Sequence, residues 1–573
     1  MNPSRKPIIY QLLPRLFTNY NKNCLQSGTI GQNGCGKLAD ITSAVLRGIK
    51  ELSVSHVWYT GVIEHAHCPD YSDYGITPDS QHVVKGQAGS PYAISDYYDI
   101  DPDLAVDPAR RMEEFEALVA RTHDAGLNVI IDFVPNHVAR RYASDSAPAD
   151  APADLGSGDN TDMFFSPSNN FYYITRQQFA PVGVDLGSGK NAYVEFPAKA
   201  SGNDCYNAFP SPFDWYDTVK LNYGVDPANG NRHFDPIPDT WHKMYHILRY
   251  WASKGIDGFR CDMVHMVPLE FWQWAISNLK AEFPRLIFIA ELYDLNLYRP
   301  FISIGGFDYL YDKSGLYDTL RAIQTSSVSA AALTSCWQQT EGIGAHMLNF
   351  LENHDEQRFA SPQYAGDPAK VIPSLVVSSM INTGPMMIYM GQELGEPATD
   401  EEGYSGRDGR TTIFDYWSID TIRRWLSGDG EGHPSDKLLT PREIWLRGKY
   451  KNILSIASSQ KAITVGHFFD LMYVNYENPS FNPHRQYAFL RSTPTETLLI
   501  AVNFGSDSAD MHINIPSHAF DMLQIPSSPA PQLATELLTG RKENKIFSPT
   551  SPFHTFLQPY DAVIWRFTRR DGK

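Results

Sequence analysis

Eight short apolar runs recur between Ile8 and Met390, near Ile8–Phe17, His56–Val62, Asn128–Val134, Gly258–Val264, Leu286–Leu292, Phe307–Tyr311, His346–Leu351 and Met386–Met390. Runs this short, apolar at consecutive positions, suit strands buried on both faces of a parallel sheet. Between the second and third, residues 108–125 place Met112, Phe115, Leu118 and Val119 at three- and four-residue steps, which predicts a covering helix. Eight strands alternating with helices predict a closed (β/α)8 TIM barrel.

The alternation lapses twice. Residues 139–233 turn to Gly, Pro, Asn, Asp and aromatics over a length too great for a plain loop, and predict a subdomain inserted after strand 3. From about Thr464, short alternating runs such as Gln486–Leu490, Thr497–Asn503 and Ala562–Phe567 predict a C-terminal antiparallel β-sandwich domain. The expected organisation is a barrel from 1–138 and 234–460, an insert at 139–233 and a terminal domain at 461–573.

Polar chemistry gathers just beyond four of the runs, where a barrel keeps its active site. The segments are Asp132-Phe-Val-Pro-Asn-His137, Gly258-Phe-Arg-Cys-Asp262, Ala290-Glu-Leu292 and Glu352-Asn-His-Asp355. Cleaving a glycosidic bond with retention needs an ionised carboxylate as nucleophile and a protonated one as acid, roughly 5–5.5 Å apart. Asp262 fits the first role, because Arg260 shares its strand face and a guanidinium holds a carboxyl pKa down. Glu291 fits the second: no basic residue adjoins it, and burial raises a carboxyl pKa. Asp355, with His137 and His354, is suited to binding the hydroxyls of a sugar whose charge develops in the transition state.

These motifs, in this order, resemble the α-amylase family, glycoside hydrolase family 13, over nearly the whole chain. The resemblance implies Asp262 as nucleophile, Glu291 as general acid/base and Asp355 as transition-state stabiliser. It implies Arg260, His137, His354 and Arg358 as partners around the central sugar, and Tyr92, in Tyr-Ala-Ile-Ser-Asp-Tyr, as the aromatic platform beneath it. Many family members have an aspartate that binds calcium where this chain has Lys220, in Val-Lys-Leu-Asn. An ammonium cannot ligate calcium, so Lys220 is expected beside Asn136 in the cation's place, with no cofactor required and the usual calcium site lost. Lysine there is similar to the neopullulanase and cyclomaltodextrinase branch. His265, in Met-Val-His-Met after Asp262, is expected on the leaving-group side.

Net charge and composition bound the partners. At -17, the chain disfavours nucleic acid and anionic membranes, whereas a neutral glucan is indifferent to it. No apolar run approaches the roughly 18–20 residues of a membrane span. Met1-Asn-Pro-Ser-Arg-Lys-Pro7 lacks the apolar stretch of a signal peptide, so a cytoplasmic location is expected. The six cysteines show neither metal spacing nor a small-domain disulfide pattern and are expected to be free, with Cys261 packed on the face opposite Arg260 and Asp262. The expected activity is hydrolysis of α-1,4 bonds in maltooligosaccharides or starch-like α-glucans. A transglycosylase using the same intermediate is the alternative; a non-catalytic relative is disfavoured by the presence of all three acids.

Overall fold

Eight parallel strands close into a barrel in the order β1-β8-β7-β6-β5-β4-β3-β2. They are β1 (Ile8–Leu12), β2 (His56–Tyr59), β3 (Asn128–Phe133), β4 (Gly258–Cys261), β5 (Ile287–Ala290), β6 (Tyr309–Tyr311), β7 (Met347–Phe350) and β8 (Met386–Tyr389). The computed structural model describes residues 5–568 except 326, 402–405 and 429–432. Most strands are shorter than the apolar runs that announce them. After β1 the run turns helical at Pro14–Phe17, because Pro14 at the first helical position has no N–H to leave unsatisfied. After β4, Met263 takes a left-handed φ of 42° and ends the strand.

Alternation with period two sorts the strand residues. Inward-facing Ile9, Trp58, Ile130, Ile289, Leu348, Phe350 and Met387 pack on one another as a cluster inside the barrel. Their neighbours, such as Tyr59, Ile131, Phe259 and Ile388, belong to the larger core under the helices. Cys261 joins that outer core, fully buried, and burial pushes its thiol pKa up. All six cysteines are free. Near the closed end, Gly258 is required by close approach: a Cβ there would lie 2.4 Å from Ile287 Cγ1 and 2.9 Å from its carbonyl oxygen.

Three excursions leave the barrel. After β2, the chain forms an irregular antiparallel pair, Ile63–His65 with Ile94–Ile100. After β3, His137–Ala139 pairs antiparallel with Thr218–Lys220, so the inserted segment returns beside its own start. Arg140 holds that segment inward through an ion pair with Glu195 at 2.8 Å and a guanidinium 3.7 Å from the Phe179 ring centroid. The C-terminal region comprises β9 (His467–Asp470), β10 (Gln486–Ser492), β11 (Glu496–Asn503), β12 (Ala509–Ile513), β13 (Ser528–Glu536), β14 (Lys542–Phe547), β15 (Phe553–Leu557) and β16 (Asp561–Thr568). They form an antiparallel six-stranded sheet, β9-β10-β11-β16-β13-β14, and the pair β12-β15. The helix Val371–Met380 is buried at all ten positions. Arg491 ties β10 to the barrel side by donating to the Ile381 carbonyl at 3.2 Å, and to its own side at Ala462, Ile463 and Gly466. Among the described residues, no helix is long and apolar enough to cross a membrane.

Glu64, on the first excursion, is buried with Ser95 as its hydrogen-bond donor at 3.2 Å. Burial, followed by the charges of Asp96, Asp99 and Asp101, pushes its pKa up to about 9. The folded protein therefore keeps a proton that the unfolded chain releases above its ordinary value of about 4.3. Stability contributed by this site is full below that value and falls as pH rises towards about 9. Glu64→Gln, which cannot ionise, should raise the melting temperature relative to wild type more at pH 8 than at pH 5; an equal change at both would contradict the burial argument.

Candidate active site

Arg260 is the last inward-facing residue of β4, and its register partners on either side are Asp132 on β3 and Ile289 on β5. Its guanidinium is fully buried beneath the mouth of the barrel. Nη1 lies 2.9 Å from Asp262 Oδ1 and 3.3 Å from Asp132 Oδ1, and Nη2 lies 2.8 Å from Glu291 Oε2. Nε donates to the Tyr311 hydroxyl at 3.3 Å, and the rings of Trp58, Tyr92 and Tyr311 surround the cation at 5.3–5.7 Å. One positive charge thus serves three carboxylates.

This arrangement corrects the sequence expectation for the two acids. Glu291 does have a basic neighbour, supplied by the adjacent strand rather than the adjacent residue. Asp262 is pushed well above the ordinary carboxylate range by burial first and then by Glu291, against the opposing pull of Arg260. The two acids act on one another across the guanidinium that both contact. Backbone and side chain both hold Glu291 in place: Met263 N–H donates to Oε2 at 2.9 Å and the Tyr293 hydroxyl to Oε1 at 2.5 Å. Met263 itself is left-handed, a local strain of about 1–3 kcal/mol directly after Asp262.

Opposite them, at the end of β7, His354 links several groups. Gln11, at the end of β1, donates to its Nδ1 at 2.7 Å. That leaves Nε2 facing the Tyr92 hydroxyl at 2.6 Å and Asp355 Oδ2 at 3.0 Å. Tyr92 stacks on the His354 ring, with centroids 5.3 Å apart and 25° between planes. His137 lies buried beside Trp215, and burial, then Lys220 and Lys85, push its pKa down to about 3, so it is a neutral imidazole.

These side chains open on a cavity of about 330 Å³ lined by Tyr92, His137, Asp262, Glu291 and Asp355. Its walls add Lys85, Trp215, Asp217, Tyr293 and Phe414. Lys85 and Asp217 form an ion pair at 3.0 Å across the rim. None of the wall residues was singled out by the sequence, because each stands on an irregular loop without a periodic signal. Gln11 and Trp58 carry no sequence signal either, and Asp132, named at the head of its motif, has no role assigned there, although strand parity marks it: it lies two residues after inward-facing Ile130 and accepts from Trp58 Nε1 at 3.0 Å.

Two expected sugar partners lie elsewhere. Arg358 is fully buried below the cleft; it pairs with Glu352 at 3.1 Å, donates to the Met390 carbonyl and Thr411, and covers the Tyr389 ring. It holds the loops after β7 and β8 together and does not line the cavity. His265 is exposed on the turn Val264–Met266 and borders an adjoining cavity with Lys220 and Asp204. Lys220 is buried, its ammonium against Asn136 Oδ1, 2.7 Å from Asp204 Oδ1 and 3.2 Å from the Met266 carbonyl. Asn136 in turn donates to the Gly202 carbonyl at 2.8 Å.

The carboxyls converge where a parallel barrel keeps its active site, at the carboxyl ends of its strands. Residues 11–285 match the family model for the α-amylase catalytic domain. The chain is 22% identical over 479 residues to the α-amylase MalA of Haloarcula japonica, covering 83% of this chain and 54% of that one. It is 22% identical over 617 residues to the probable oligo-1,6-glucosidase 3 of Bacillus subtilis, covering 93% and 97%. The chain thus spans about half of the first relative and nearly all of the second. The crystal structure of a maltogenic α-amylase, AmyB, from Thermotoga neapolitana shares the fold at a TM-score of 0.62 and 18% identity, covering 98% and 99%.

Removing one partner of a buried ion pair leaves an uncompensated charge, at a cost of about 3–5 kcal/mol. Arg358→Met should lower the unfolding free energy by that amount in urea titration. A loss within experimental error would mean that Glu352 finds another partner.

Proposed function

We propose that this cleft hydrolyses α-1,4-glucosidic bonds of maltooligosaccharides or starch-like α-glucans with retention of anomeric configuration. The observation that carries this reading is the single buried guanidinium holding Asp262 and Glu291 together at the cleft floor, with Asp355 facing them. The match to the α-amylase family model and relatives named as an amylase and an oligo-1,6-glucosidase support an α-glucosidic bond as the target.

In this mechanism Glu291 carries a proton when a glycosidic oxygen lies beside it. Glu291 gives that proton to the leaving oxygen while an Asp262 oxygen attacks the anomeric carbon, forming a glycosyl ester. Arg260 stabilises the carboxylate form of Asp262 before attack and of Glu291 after proton transfer. Tyr293 and the Met263 N–H fix the acid's orientation. Asp355, braced by His354, accepts hydroxyl hydrogens of the sugar whose ring gains positive charge, and neutral His137 adds a further hydrogen bond. Glu291 then takes a proton from water, which opens the ester; a sugar hydroxyl in place of water would give transfer. Tyr92 supplies the platform, its face held by the His354 ring.

No calcium is needed for this chemistry. Lys220 brings its own charge to Asn136, and the oxygens around it include one carboxylate, Asp204, far from the six to eight ligands calcium takes. The ammonium joins the inserted segment to the turn after Asp262 as a metal would.

Asp262→Asn should abolish the glycosyl-enzyme, and Glu291→Gln should lower kcat on maltoheptaose by roughly 10²–10⁴-fold while sparing substrates with activated leaving groups. Near-normal turnover by either variant sinks the assignment. Proton NMR before mutarotation should show the α-anomer first. EDTA should leave activity and melting temperature unchanged, whereas Lys220→Asp should lower the melting temperature in metal-free buffer; inactivation of wild type by chelation, with rescue by calcium, would refute the role given to Lys220.

A further inference from the structure

The C-terminal domain presents a group of ligating side chains far from any role in glycoside cleavage. Strands β12 and β15 pair antiparallel with His512 directly opposite His554, and Asp510 lies two residues before His512, hence on the same face. The three side chains are exposed, at 63% for Asp510, 46% for His512 and 55% for His554. The imidazole centroids are 4.7 Å apart. His554 Nε2 is 2.6 Å from Asp510 Oδ1, and His512 Nε2 is 3.9 Å from Asp510 Oδ2. One ligand atom from each residue lies within 4.8 Å of the other two.

The geometry points to a divalent transition-metal site formed by Asp510, His512 and His554. Cross-strand pairing already fixes the Cβ atoms, so side-chain rotation alone brings the donors to one ion. Bonds of about 2.0–2.2 Å from imidazole and carboxylate suit ligand atoms at these separations. Two imidazoles with one carboxylate select zinc or copper(II) over magnesium and calcium, which take oxygen ligands. Exposure leaves the remaining positions to water or to a donor from another molecule. Nearby Lys545, which donates to the His554 carbonyl, is paired with Glu543 at 2.9 Å, so its charge is offset. The buried group His67, Asp101 and Asp103 differs in this respect: Arg15, linked through His65, already supplies positive charge there.

Native mass spectrometry and titration calorimetry of the full chain with zinc chloride test the site. Wild type should take up one zinc saturably. His512→Ala and His554→Ala should each weaken binding by at least the roughly 10–100-fold that follows loss of a metal ligand's own partner. Both variants should melt like wild type in zinc-free buffer, because the side chains are exposed. Magnesium chloride should not compete. Absence of saturable zinc uptake overturns the proposal, and so does wild-type affinity in a protein carrying both His512→Ala and His554→Ala, which would place the ion elsewhere.

Discussion

The barrel mouth is organised by one buried cation that must satisfy three acids. Arg260 has no exposed surface, and a carboxylate deprived of it would be a charge in a low-dielectric interior. Asp132, Asp262 and Glu291 come from three consecutive strands, so the guanidinium also fixes the relative height of those strand ends. Because three formal negative charges face one positive charge, the group favours retention of a proton. Burial and neighbouring charge act together here: desolvation is the larger cause at Asp262 and the charge of Glu291 the next.

The second constraint is the return of the inserted segment. His137 and Lys220 are register partners in the short antiparallel pair that closes the insert, so the histidine at the cleft and the lysine beneath it are set by the same backbone hydrogen bonds. Through Met266, Lys220 reaches the turn after Asp262. The insert, the third strand and the fourth strand are therefore one mechanical unit around the cleft, with the buried Lys220 side chain as a fastening.

Strand parity explains how much could be read directly. Short apolar runs marked all eight strands, because a barrel strand buried on both faces carries a near-continuous apolar sequence. Arg260, Asp262 and Cys261 followed from alternation by two, and all three point as expected. Strand ends were read too long where Pro14 and left-handed Met263 redirect apolar chain into helix or turn. Arg358 shows the limit of motif proximity: three residues after Asp355, it turns below the cleft because Glu352 and the Met390 carbonyl hold it there.

The amino-acid order by itself determined the barrel, the terminal β domain and which acids stand at strand ends, since these depend on local periodicity and on residue type. Only the tertiary structure decided the electrostatics. Whether an acid is ionised depends on charges brought from other strands, and no neighbour in sequence revealed that Glu291 shares Arg260 with Asp262. The same holds for Gln11 against His354, Lys85 against Asp217 and His512 against His554. These last three pairings join residues 42 or more positions apart. Their encounters are set by sheet register and loop closure, which are long-range consequences of packing that no local pattern encodes.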